Sequence, residues 1–138
     1  MQRDRFESAR TWLETARRDL RVARTVLDVE PSLAAFHAQQ GAEKALKATL
    51  VALADDHPRT HTATRLVREL RSIDPTVDES LEADASSLDL YYLSARYPDA
   101  VGDEDPGDII RRGDAAEAIS RAERVLLFAE ERIARASG

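Results

Sequence analysis

Cysteine is absent from the 138 residues, which excludes both a disulfide framework and a thiolate zinc site. Aromatic residues make up only 5% of the chain, and glycine and proline number five each; so little β-forming and turn-forming material disfavours a sandwich of short strands. No apolar run approaches the roughly 20 residues needed to cross a bilayer. The charged start, Met1-Gln2-Arg3-Asp4-Arg5, is not followed by the apolar stretch of a signal peptide, so the expected location is the cytoplasm. Histidine is scarce as well: His37, His57 and His61 are the three, and none follows position 61.

The chain is rich instead in charge, at 33% Asp, Glu, Lys and Arg, and in alanine, leucine and arginine, the composition of helices. Its length suits one domain, residues 1–138, with a single core. A net charge of −6 argues against a dedicated duplex-DNA binder, because phosphate neutralisation dominates such affinity. The charge is uneven, however. Residues 74–108 carry eleven acids against one base, Arg96, for a local −10, which leaves +4 on the rest of the chain. The two lysines are Lys44 and Lys47.

Apolar residues recur at helical steps. Phe6, Ala9, Leu13, Ala16, Leu20, Ala23 and Leu27 form one face of a long first helix. Glu30-Pro31-Ser32 interrupts it, and a second helix is predicted from about Ser32 to Ala54, with a shorter third over 62–72. Asp74-Pro75 breaks that one. Thr76-Val77-Asp78-Glu79 reads as a capping box opening a fourth helix that runs to Arg96-Tyr97-Pro98. After the acidic loop Gly102–Asp108, Asp114-Ala115-Ala116-Glu117 reads as the cap of a final helix. Short loops between four or five helices imply an all-α, antiparallel up-and-down bundle.

The second helix carries the most distinctive pattern. At about 100° per residue, His37, Gln40, Lys44 and Lys47 lie within roughly 80° of one another. Ala35, Ala42, Leu46 and Leu53 take the core side. Ala34, Gly41, Ala45 and Ala48 form a band of small residues beside the polar stripe, and the stripe with this groove is expected as a site or a dimer seam. A helix-interior glycine costs up to about 1 kcal/mol, so Gly41 implies close packing.

The run Ala35-Phe36-His37-Ala38-Gln39-Gln40, followed by Glu43-Lys44-Ala45-Leu46-Lys47-Ala48, resembles the signature helix of HEPN domains, small helical modules often encoded beside minimal nucleotidyltransferases. Trp12, Ala16 and Asp19-Leu20 in the first helix, Thr60-His61 before the third, and Arg96-Tyr97-Pro98-Asp99 at the end of the fourth extend the resemblance, in order, over nearly the whole chain. Ala63 departs from it, standing where a large aliphatic residue is usual, so a capping role is expected for His61 rather than a catalytic one.

Members of the family that cut RNA carry an arginine, a polar residue, a spacer and a histidine at the end of the fourth helix. There the histidine moves the proton of the attacking 2′-hydroxyl and a cation steadies the phosphate. Arg96 is present, but Val101 and Gly102 stand where that histidine belongs. The resemblance therefore implies binding rather than catalysis: a nucleotide- or RNA-binding homodimer, partner of a minimal nucleotidyltransferase in a toxin–antitoxin-like pair. It is expected to have no catalytic residue, metal or cofactor. Phosphate would be held by Arg96, Lys44 and Lys47, with hydrogen bonds from His37 and Gln40 and a base stacked on Tyr97. Two readings compete with it. One is a ribonuclease toxin whose histidine is supplied by His37, His57 or His61. The other is a structural homodimerisation module whose interface is the stripe. A divalent cation at Asp99, Asp103, Glu104 and Asp105 is the weaker alternative for the acidic loop.

Overall fold

The computed structural model describes residues 4–95, 97 and 102–138. Among them there are seven helical segments and no strand: α1 (Arg5–Val26), α2 (Pro31–Ala54), α3 (Ala63–Ile73), α4 (Glu79–Asp89), the single turns α5 (Tyr91–Ser94) and α6 (Pro106–Ile109), and α7 (Arg112–Ser137). No helix among the described residues is long and apolar enough to cross a membrane.

The first helix begins where the Asp4 carboxylate accepts the Phe6 amide at 3.0 Å, satisfying one of the orphan donors of a first turn. Its seam, Ala9, Leu13, Ala16, Leu20 and Ala23, is buried. A four-residue connection returns the chain through Pro31, whose fixed φ suits a first helical position, so α2 runs back antiparallel along α1. At its far end α2 stops on Asp55 in the left-handed region, φ 50° and ψ 35°, a conformation that a short polar side chain tolerates better than most.

α2 is the axis of the molecule, in contact with all six other segments and packed most extensively on α1 and α7. From Ala34 to Ala52 most of its residues are buried, on every side. The band Ala34, Gly41, Ala45 and Ala48 is therefore core, and neither an open groove nor a dimer seam. Its role is close approach: a Cβ built on Gly41 would lie 3.2 Å from the Ala16 carbonyl oxygen and 3.3 Å from Leu20 Cγ.

Three helix starts differ from the sequence expectation. α4 is capped by Asp78, which accepts the Leu81 amide at 3.1 Å, while Thr76 turns back to the Asp74 carboxylate. Asp114 lies inside the first turn of α7 and accepts the Arg111 amide at 3.0 Å. The fourth helix does not run unbroken toward Arg96, because it divides at Leu90 into α4 and α5. At the starts of α4 and α7, local side-chain hydrogen bonding shifts an end that hydrophobic periodicity leaves loose.

Charged ties join the outer helices. Asp84 on α4, almost fully buried, accepts from Arg121 and from both Nε and Nη2 of Arg124 on α7, at 2.8–3.0 Å, which raises the Arg124 pKa. Asp74 accepts from Thr76 and, at 2.8 Å, from Arg132.

Replacing Gly41 with valine sets a branched side chain against a backbone oxygen that cannot swing away. A loss of about 1–3 kcal/mol is expected from overpacking, read as a lower denaturant midpoint with the slope unchanged. A second expectation concerns acid. The Thr76 hydroxyl, foremost, and then Arg132 lower the Asp74 pKa from 3.8 to about 2. With the folded pKa depressed, the stabilisation is present above pH 4 and is lost as the pH falls from about 4 to 2. Asp74→Asn should accordingly be less stable than the parent at pH 7, with the difference shrinking across that window in urea titrations.

Candidate functional site

Because α2 is enclosed, its polar residues must find partners inside the protein, and they do so through two buried carboxylates. Asp19 of α1 is only 8% exposed. Its Oδ1 lies 2.9 Å from His37 Nδ1, and its Oδ2 accepts from Lys44 Nζ at 2.7 Å. One carboxylate thus ties together two stripe residues nearly two turns apart on α2. The His37 ring also packs edge-on against Phe36, with centroids 5.4 Å apart.

The second carboxylate is Glu43, 3% exposed. Its Oε2 accepts from Lys47 Nζ at 3.0 Å and lies 3.4 Å from His61 Nδ1, while its Oε1 is buried with no partner among the described residues. The Lys47 side chain, 7% exposed, holds its ammonium 5.8 Å from the centre of the Trp12 ring, within reach of a cation–π attraction. Gln39, fully buried, donates to the His61 carbonyl at 3.4 Å and accepts from Gln40 at 2.7 Å.

His61 therefore does not cap α3. That task falls to Asp89, at the end of α4, whose carboxylate accepts the amides of Ala63 and Thr64 at 2.7 and 3.0 Å and the Thr64 hydroxyl at 2.6 Å. The His61 ring instead lies parallel to that of Tyr92, with centroids 5.4 Å apart and planes 10° apart. Beside the pair is an open pocket of about 480 Å³ between the start of α3 and α5, lined also by Thr62, Asp89, Leu90, Leu93 and Ser94.

Of the six residues that the sequence marks, the structure brings His37 and Lys44 together on Asp19, sets Lys47 on Glu43, and joins Gln40 through Gln39 to the His61 backbone. Tyr97 is exposed and donates its backbone amide to Leu93 at 3.0 Å. Arg96 lies outside the described residues, as does Asp99 of the acidic loop, where Asp105 accepts the Gly107 amide. His57 faces Asp55 at the exposed end of α2, apart from the stripe.

Sequence reasoning left Asp19, Gln39, Glu43 and Tyr92 without roles. Asp19 was detectable as an acid beside the apolar seam of α1, next to Leu20. Glu43 was detectable from its i,i+4 spacing to Lys47, which sets two side chains on one helix face. Nothing local marks Tyr92, since its partner His61 comes from a loop 31 positions earlier.

A buried pair of this kind survives because each charge compensates the other, and removing one partner is costly. Glu43→Ala is expected to destabilise the fold by about 3–5 kcal/mol, whereas Glu43→Leu combined with Lys47→Met should recover most of the loss. Urea unfolding of the two variants beside the parent measures both effects.

The comparisons with known proteins agree with the all-helical fold. No curated protein matches the chain. Among solved structures, it is similar to TT1696 from Thermus thermophilus, with 38% identity and a TM-score of 0.84 over 90% of this chain and 97% of that one. It is also similar to ST0689, described as an archaeal HEPN homologue, with 30% identity and a TM-score of 0.76 over 96% of this chain and 99% of the other. The HEPN domain family model matches residues 9–132, so the segment that holds Asp19, His37, Glu43, Lys44 and His61 lies within the match and the chain belongs to the HEPN domain family.

Proposed function

We propose that this HEPN domain binds a nucleotide or an RNA segment along the solvent edge of α2, with Arg96 and Tyr97 as further contacts, without cleaving it. The observation that carries the reading is the polar face of α2, which holds two sets of contacts. Asp19 of α1 fixes His37 and the partly exposed Lys44, and buried Gln39, which accepts from Gln40, and buried Glu43 meet His61 beside the pocket. Lys44 gives one of its three ammonium donors to Asp19 and is still partly exposed, so it retains donors for a phosphate oxygen. Gln40 and the His37 edge add hydrogen bonds, and Arg96 adds a forked cation. Lys47, shielded by Trp12, holds Glu43 in place from behind.

The absence of cleavage rests on the residues. Val101 and Gly102 stand where the family's cutting members carry histidine, and neither can accept or deliver a proton. The protein would act as a homodimer and as the partner of a minimal nucleotidyltransferase, in a toxin–antitoxin-like pair. One observation favours the ribonuclease reading as the second choice: His61 is stacked on Tyr92, four positions before Arg96.

Calorimetric titration with nucleoside monophosphates and a short single-stranded RNA tests the proposal. Binding is expected, with a loss of about tenfold or more in Lys44→Ala, the size of one hydrogen bond to a charged group, and the RNA should remain intact. No binding by either probe, with charge reversal at Lys44 altering only the oligomeric state, would leave the structural-module reading instead. RNA cleavage that disappears in His61→Ala would establish the ribonuclease.

A further inference from the structure

The His61–Tyr92 pair belongs neither to the core nor to a helix cap. Two rings 10° from parallel with centroids 5.4 Å apart are stacked with an offset, because fully overlapped rings would lie closer. Part of each ring face therefore stays uncovered, and both rings line the pocket between the start of α3 and α5. The neighbouring wall is apolar and open to solvent, with Leu90 and Leu93 exposed at 70% and 52%.

The pair is held from behind. The His61 carbonyl accepts from fully buried Gln39, and the ring nitrogen faces buried Glu43. Two residues on, the first amides of α3 are bound by Asp89. A flat wall fixed in this way costs little ordering entropy when a ligand arrives. Its shape fits a planar ring better than a branched apolar group.

Charge then sets the direction of the ligand. Asp89, the one acid that lines the pocket, disfavours a phosphate there and leaves an uncharged base unaffected. Gln40 is joined to the pair through Gln39, which donates to the His61 carbonyl, and the partly exposed Lys44 follows Gln40 one turn along α2.

We infer that the His61–Tyr92 stack is the nucleobase subsite of this domain. It takes a planar heteroaromatic base in the pocket beside Leu93, with the sugar and phosphate leading back toward Gln40 and Lys44. The hydroxyls of Thr62 and Ser94 can both donate and accept, so they meet any base edge and the subsite is tolerant of base identity. The inference rests on the nucleotide- or RNA-binding reading and names the part of the protein that receives the base.

The probe is 2-aminopurine riboside 5′-monophosphate, whose fluorescence falls when the base stacks. Titration with the parent protein should quench it. Tyr92→Leu should weaken binding by about tenfold, the scale of one base–aromatic stack, and abolish the quenching at saturation. Tyr92→Phe should retain both, and Lys44→Ala should weaken binding yet still quench at saturation. If Tyr92→Leu fails to fold by circular dichroism, His61→Ala serves in its place, since that ring is more than half exposed. Parent-like affinity and quenching in a folded Tyr92→Leu or His61→Ala would overturn the subsite while leaving the binding reading intact. Absence of binding by the parent to nucleotide and RNA alike would overturn both.

Discussion

The close crossing of α1 over α2 at Gly41 is the constraint on which the rest depends. With no side chain at that position, the Ala16 carbonyl and the Leu20 side chain approach α2 to a distance that a Cβ would barely allow. This proximity puts the Asp19 carboxylate within hydrogen-bond reach of both His37 and Lys44. It also sinks α2 so deeply that Gln39, Glu43 and Lys47 are buried with it. Buried polar groups without partners are costly. The polar face of α2 therefore became a network: two acids of low exposure, each holding a cation, with a glutamine pair between them.

That network changes what a lysine on this helix can do. On a solvated face, Lys44 and Lys47 would be equivalent cations. In the fold, Lys44 keeps a solvent edge, whereas Lys47 is enclosed by Glu43 and the Trp12 ring. Lys44 thus offers its charge at one place on the α2 face, and elsewhere the His61–Tyr92 pair is aromatic and bordered by Asp89. A ligand with a charged head and a flat uncharged tail matches this polarity, as a nucleotide does.

The helices and the family were legible in the sequence because both rest on local pattern. The seam of the first helix and the stripe of α2 are spaced at helical steps, Pro31 marks a helix entry, and the motif of α2 lies within one element. What was not legible depended on depth and on long-range pairing. Burial of the Ala34, Gly41, Ala45 and Ala48 band follows from α1 and α7 covering α2 together, which no window along one helix reveals. The cap of α3 comes from Asp89, 26 positions away from Ala63, so the nearby His61 was the natural but mistaken choice. His61 turns instead to Glu43 and Tyr92, and the pocket opens beside that pair. The division of the fourth helix at Leu90 belongs to the same set, since it sets α5 beside the start of α3.

The central claim is that the polar arc of α2 and the ring pair form one binding surface with a charged end and an aromatic end. The most direct measurement is a crystal structure of the protein with a bound nucleoside monophosphate. The base is expected against His61 and Tyr92, with its phosphate within hydrogen-bond distance of Lys44 or Gln40. A nucleotide bound elsewhere on the bundle, or one whose phosphate occupies the acidic pocket, would contradict it.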